Sequence, residues 1–320
     1  MLPEEVVGKL KIYTDKSLLV FSSEMILLAG LLKDEPKDSP QNLNFKGHSR
    51  YTGLKEYLGK NVSYTDSPND ANVIILPYKF RGLNDKNLIS FLKVSEQYNI
   101  PLLAFYIDDD ESKYELPNSL HLWRTSIVKS SKCENEYPMP VFTADYFDSR
   151  YLCNENQTIG YCGHTRHGRG NYLSALEQSK INCDFVKRSG FWAPEVQDKL
   201  QAKLEFIKNL ESNLFSFCMR GAGNFSYRFY ETLMMGRIPV LVDTDCSLPL
   251  NLAKDPKINM LRLKPNEFFD ISNLEERMEF YQKMDPVRLL DIQYKNRDYW
   301  FENLSTLGFT KSLIAKYNGN

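Results

Sequence analysis

Long apolar runs are missing from this chain. Its most apolar stretch, SLLVFSSEMILLAGLL (Ser17 to Leu32), is broken by Ser22, Ser23 and Glu24 and falls short of the roughly 20 apolar residues that a membrane span needs. It predicts a core helix and no transmembrane segment, with weak association at a membrane surface as the alternative. Neither sign of charge is in excess: Lys plus Arg number 40 against 41 Asp plus Glu, so the balance points to no nucleic acid partner. Any anion the chain handles must be met locally. The opening residues, MLPEEVVGKL, have no basic region ahead of an apolar core, which predicts the absence of a secretory signal and a cytoplasmic location.

Cysteine is thinly spread. Cys133, Cys153, Cys162, Cys183, Cys218 and Cys246 stand singly, with no C-x-x-C and no Cys/His cluster, the pattern of reduced thiols in a cytosolic protein. Histidine is rarer still, at 4 residues, and no spacing suits a metal. N-x-S/T sequons begin at Asn61, Asn156, Asn224 and Asn303, but the one at Asn224 falls inside the most informative motif of the chain. A glycan there would destroy any site, which again favours a compartment without N-glycosylation.

With 320 residues the chain is about two domains long. Strand-like and helix-like runs alternate in the first half: LKIYTD, the helix YTGLKEYLG, NVSYT, ANVIILPYKF, the amphipathic helix NDKNLISFLKVSEQYN, and PLLAFYI. Buried β-branched strands alternating with helices predict a parallel, doubly wound sheet. Between Asp108 and Asn156 the chain turns polar and irregular, although HLWRTSIV suits a further strand. The alternation then restarts with TIGYCGHT, RGNYLSALEQS, INCDFV, PEVQDKLQAKLEFIKNLES, LFSFCM, SYRFYETLMM, IPVLVD, INMLRL and EERMEFYQKM. The expected division is residues 1–150 and 151–320, two Rossmann-like α/β domains facing across a cleft, the last helix packing back on the first domain.

The segment RGAGNFSYRFYETLMMGRIPVLVD (Arg220 to Asp243) is denser in signals than packing requires. Ser226 suits an N-cap, and Phe225 with Tyr230 a hydrophobic staple. Gly236 suits the C′ position that ends a helix. Gly221 and Gly223 form a turn between a strand and that helix, where backbone approaches a ligand closely. Helix N-termini beyond the carboxyl ends of parallel strands attract anions. Arg220 precedes the turn, and Arg228 and Glu231 share one helix side at i, i+3. Arg228 there can meet a phosphate while Glu231 accepts from a ribose diol; an exposed ion pair is the plainer alternative.

The whole string resembles the signature of exostosin-like glycosyltransferases, R-G-x-G-x-x-S-x-R-x-x-E followed by G-x-I-P-V. SPNDANVIILPY, RSGFW and TDCSLPL are weaker echoes of the same family. The resemblance covers about two thirds of the chain. It implies a GT-B fold, a nucleotide-sugar donor, usually a UDP-sugar, held by the C-terminal domain, a saccharide acceptor, and inversion at the anomeric carbon. It sets Ser226 and Arg228 near the donor phosphates and Glu231 on the ribose. No metal cofactor is expected.

Two further loops complete the expected site. GYCGHTRHGRG (Gly160 to Gly170) offers Gly163, Arg166 and Arg169 to the pyrophosphate from the opposite side, a solvated basic loop being the alternative. Phe191 or Trp192 of RSGFW offers a face for the base. A carboxylate is the usual acceptor of the attacking hydroxyl's proton, and Asp108, Asp109 and Asp110 follow directly on a strand, with Asp15 as the fallback. Two rivals stand beside this reading: a metal-dependent transferase holding its diphosphate with Asp243-Thr244-Asp245 or the aspartate run, and a non-catalytic glycan-binding or partner subunit.

Overall fold

A computed structural model describes residues 8–37, 49–152, 157–190, 193–268 and 271–318. Cys153, Asn156, Phe191 and Trp192 lie outside the described residues. Among the described residues, eleven strands form two sheets. The first contains β1 (Leu10–Tyr13), β2 (Val62–Thr65), β3 (Val73–Ile75), β4 (Leu102–Tyr106), β5 (Leu120–Arg124) and β6 (Glu136–Pro138). The second contains β7 (Ile159–His164), β8 (Cys183–Arg188), β9 (Phe215–Cys218), β10 (Ile238–Val242) and β11 (Leu261–Leu263). Helices α1 (Leu54–Asn61), α2 (Lys86–Tyr98), α3 (Arg169–Glu177), α4 (Lys199–Ser212), α5 (Tyr227–Met234), α6 (Pro265–Phe268), α7 (Ile271–Gln282), α8 (Pro286–Tyr299) and α9 (Thr306–Asn318) connect or cover them.

The strand orders are β2-β1-β3-β4-β5-β6 and β11-β10-β9-β7-β8, and every named strand pair is parallel. The fold is therefore two Rossmann-like α/β units, as the alternation of patterns led one to expect. Counted within its own sheet, each unit places its second strand outside its first and its third, fourth and later strands on the other side. In such an order the chain reverses direction between the first and third strands, and the crevice outside their carboxyl ends is where ligands bind. The loops after β1 and β3 flank that crevice in one unit, and those after β7 and β9 in the other.

Strands buried on both faces explain the apolar runs: all five residues of β10 are buried, as are all four of β9. Helix α9 crosses back to the first sheet, where Phe309, Leu313, Ile314 and Tyr317 join its core and the Tyr317 hydroxyl accepts from Trp123 Nε1 at 3.2 Å. Two expectations differ from the fold. ANVIILPYKF pairs only over Val73–Ile75, because Pro77 lacks the N–H that a central strand must donate. Ser17 to Leu32 is no α-helix but two 3-10 turns, Lys16–Leu18 and Ile26–Leu31. Its apolar residues Met25 to Ala29 are all fully buried, so tertiary packing settles their conformation instead of one amphipathic face.

Gly236 ends α5 with φ +66°, and a Cβ there would lie 2.8 Å from the carbonyl oxygen of Gln293. Left-handed backbone and overpacking each cost an ordinary residue about 1–2 kcal/mol. Gly236→Ala should therefore lose on the order of 2–4 kcal/mol, read from the urea midpoint; a loss below about 0.5 kcal/mol would mean that the α5–α8 contact yields freely.

Candidate functional site

The turn between β9 and α5 occupies one side of the second crevice, and it is tied to both units. Within its own unit, Arg169 of the loop after β7 donates from Nε to the Arg220 carbonyl at 3.1 Å and from Nη2 to that of Met219 at 3.3 Å. Arg169 thus staples the two crevice loops together. His164 faces it, with Nε2 3.1 Å from Arg169 Nη1. Burial, then Arg169, His167 and Arg166, push the imidazole down to about 4, so it is neutral at pH 7 and one ring nitrogen is left to accept. Arg166 is exposed. Gly163 stays near the strand end, where a Cβ would approach the Tyr161 hydroxyl at 3.1 Å.

Across the interface, Gly223 N–H donates to Asp109 Oδ1 at 3.0 Å, and Arg220 pairs with Glu111. Asn224 N–H donates to Ser126 Oγ at 2.8 Å. A Cβ on Gly223 would stand 2.7 Å from Asp109 Cα. The glycine that was expected to admit a ligand admits the facing domain. Beside it, Lys129 N–H donates to the Asp245 carbonyl at 2.8 Å and Ser247 N–H to Ile127 O at 3.1 Å, a short antiparallel bridge between the units. A narrow pocket opens below the turn, lined by Asn224, Phe225, Ser226, Phe229, Thr244 and Ser247 among others.

Ser226 takes the N-cap position in extended backbone, but its side chain makes no capping bond. Arg228 is only 8% exposed. Its guanidinium lies between the rings of Tyr161, at 4.9 Å, and Phe206, at 4.8 Å, and donates from Nη2 to the Cys162 carbonyl. Nη1 is buried with no partner. The exposed ion-pair alternative therefore does not hold: Arg228 is buried with its guanidinium stacked between two rings. No ion pair joins Arg228 to Glu231. Glu231 is half-buried and makes no hydrogen bond or ion pair among the described residues. Burial pushes its carboxyl up, against the pull of Lys203, Arg228 and Arg50.

At the first residue of α5, Tyr227 keeps 41% of its surface open, yet burial pushes its hydroxyl up, opposed by Arg50 and reinforced by Glu231, Asp109 and Glu24. Sequence reasoning missed Arg50 and Glu24 here; neither carries a local pattern.

Each aspartate of the Asp108–Asp110 run has a partner. Asp108 pairs with Lys79 at 2.6 Å, whose hydrogen bond holds the carboxyl low. Asp109 receives Gly223. Asp110 accepts from the Ser112 and Tyr114 hydroxyls, which hold its carboxyl low although burial works the other way. Asp15 caps the 3-10 turn after β1 through Ser17. Asp243 pairs with Arg262 at 2.9 Å, and Asp245 accepts from Ser130 N–H at 3.0 Å. Among the described residues, no group of three His, Cys, Asp or Glu is placed to hold a metal ion, and no helix is long and apolar enough to cross a membrane.

No protein-family model matches the chain, and no curated protein matches it. Among solved structures, the chain is similar to Anabaena HepE in complex with UDP, with 11% identity, a TM-score of 0.47 and coverage of 98% of this chain and 100% of that one. It is similar to the lipopolysaccharide outer core galactosyltransferase WaaB, with 11% identity, a TM-score of 0.47 and coverage of 97% and 100%. A glycosyltransferase from Rickettsia africae gives 11% identity, a TM-score of 0.43 and coverage of 98% and 100%. At that distance, these likenesses carry no argument about chemistry.

The raised Glu231 carboxyl has a consequence for stability. Because the folded value lies above the ordinary one, the folded state holds the extra proton, and its penalty grows as pH rises through the folded value. Glu231→Gln should raise the melting temperature at pH 7 and leave it unchanged near pH 4. Equal shifts at both pH values would mean that the carboxyl is not desolvated in the fold.

Proposed function

We propose that this chain is an inverting glycosyltransferase of exostosin-like type, transferring a sugar from a nucleotide diphosphate donor, in first place a UDP-sugar, to a saccharide acceptor. The observation that carries this reading is the pair of unsatisfied charged groups on α5: the buried Nη1 of Arg228 and the unpartnered carboxylate of Glu231, set at the crevice between β7 and β9. A buried charge without a counterpart is costly, and a ligand offering both an anion and hydroxyls relieves both groups. Glu231 then accepts from the ribose diol. Arg228 and the N–H groups around Ser226 face the diphosphate, with Arg220, Gly221 and Arg166 at its margin. Arg169 and Gly163 shape the loop that receives it. Positive charge fixed in place stabilises the leaving diphosphate without reorganisation, so no metal ion is assigned to it. The domain of residues 151–320 holds the donor and that of residues 1–150 the acceptor, in the cytoplasm.

The test is calorimetry with UDP. Hydrogen bonds to a charged group are worth roughly 1.5–3 kcal/mol, so Glu231→Ala should weaken UDP binding about ten- to a hundredfold without unfolding the chain. Transfer should persist in EDTA, and Asp243→Asn should cost far less activity than Arg228→Ala. No UDP binding by the wild type, or activity lost in EDTA and restored by Mn²⁺, would turn the reading over to one of its rivals.

A further inference from the structure

Glu24 is only 3% exposed, and among the described residues its carboxylate has a single hydrogen-bond donor, the Ser23 hydroxyl at 3.3 Å, and no ion pair. Burying an ionised carboxylate with so little compensation is expensive, and packing offers no reason for it, since glutamine or leucine fills the same space. Its place in the fold supplies one. Glu24 lies on the connection leaving the carboxyl end of β1, in the segment anchored by Val20 N–H on the Pro77 carbonyl at 2.8 Å, where Pro77 belongs to the loop after β3. These are the two loops flanking the crevice of the first sheet. Asp108–Asp110, by contrast, follow β4, one strand further out, and all three are already engaged.

Glu24 also faces the donor side. Arg50, Glu231, Asp109 and Glu24 are the charged groups near enough to act on the Tyr227 hydroxyl, which sets Glu24 within electrostatic reach of the N-terminus of α5. Arg50, whose Nη1 donates to the Phe142 carbonyl at 2.8 Å, is the cation on that side of the cleft. Among the described residues, Glu24 and Glu231, two carboxylates without ion pairs, thus both act on Tyr227, one from each domain.

We propose that Glu24 is the general base of the transfer reaction. This assignment rests on the transferase reading. The Glu24 carboxylate takes the proton of the acceptor hydroxyl as that oxygen bonds to the anomeric carbon. The bond from that carbon to the diphosphate oxygen breaks, its electron pair leaves with the nucleoside diphosphate, and Glu24 returns the proton to solvent. A carboxylate is the usual acceptor of such a proton.

The experiment measures UDP release from UDP-glucose, UDP-galactose and UDP-N-acetylglucosamine with water as the acceptor, together with UDP affinity and melting temperature, for wild type, Glu24→Gln and Glu24→Ala. General bases contribute about 10²- to 10⁴-fold, so both variants should release UDP at least a hundredfold more slowly than wild type while binding UDP within about twofold of it. Glu24→Gln should melt no lower than wild type, since it removes a poorly compensated buried charge. Azide, a nucleophile with no proton to lose, should restore UDP release to Glu24→Ala and yield a glycosyl azide. Wild-type release rates in Glu24→Gln would overturn the assignment and leave the transferase reading intact. A lowered melting temperature with weakened UDP binding would make Glu24 structural and overturn it as well. A wild type that binds no UDP would remove the transferase reading, and the base with it.

Discussion

The guanidinium of Arg124 shapes the wall that the first unit presents to the second, and the interface is built on that wall. Arg124 is 2% exposed and ends β5. It donates from Nε to the Ser126 carbonyl at 2.8 Å, from Nη1 to that of Ser112 at 2.9 Å and from Nη2 to that of Asp110 at 2.8 Å. Nη1 also pairs at 3.2 Å with Glu136, itself 3% exposed. One side chain thereby fixes two loops, after β4 and after β5, that present Asp109, Glu111 and Ser126 to the opposite domain. A lysine could not do this, because the task needs several donors in a rigid fork. Removing one partner of a buried pair costs about 3–5 kcal/mol, so this wall is stiff.

What the wall holds is the turn Arg220 to Ser226, and there the two domains share a single device. The same residues that close β9 and start α5 also receive Asp109, Glu111 and Ser126. Since both sheets have the same strand order, bringing their carboxyl ends together sets one crevice against the other. At this turn the contacts between the units are backbone N–H groups, carbonyls and polar side chains, while Val141, Ala144 and Tyr146 pack against apolar residues of the second unit elsewhere. This interface can hold two domains in register.

Much of this was legible in the sequence because it rests on local chemistry. Alternating buried strands and amphipathic helices foretold two parallel sheets, and glycines at strand ends foretold the two crevice loops of the second domain. The end of α5 at Gly236 followed from helix-cap chemistry. What stayed hidden depends on partners far along the chain. Arg228 reads as a surface residue of a short helix until Tyr161 and Phe206 close over it. Asp108 to Asp110 read as a free acidic run because Lys79, Gly223 and Tyr114 cannot be seen in their spacing. Glu24 reads as an interruption of an apolar segment, and only the packing of Met25 to Ala29 beneath it shows that the interruption is itself buried.

The magnitudes decide which of these contacts can change. Arg220 and Gly223 are the groups of the turn best suited to an anion, and in this structure both are satisfied by carboxylates of the facing domain. Any anion at the turn would compete for the same donors. The Arg220–Glu111 pair is 25% and 31% exposed, a class of ion pair worth about 0–1 kcal/mol, and Asp109 is exposed. The Arg124–Glu136 pair behind them is several-fold more costly to disturb. An incoming anion would therefore displace the carboxylates from the turn and leave the loop that carries them in place. That loop would then keep the wall of the first unit standing while the turn exchanges partners, because the stiff pair lies behind the loop and the weak pair on its face.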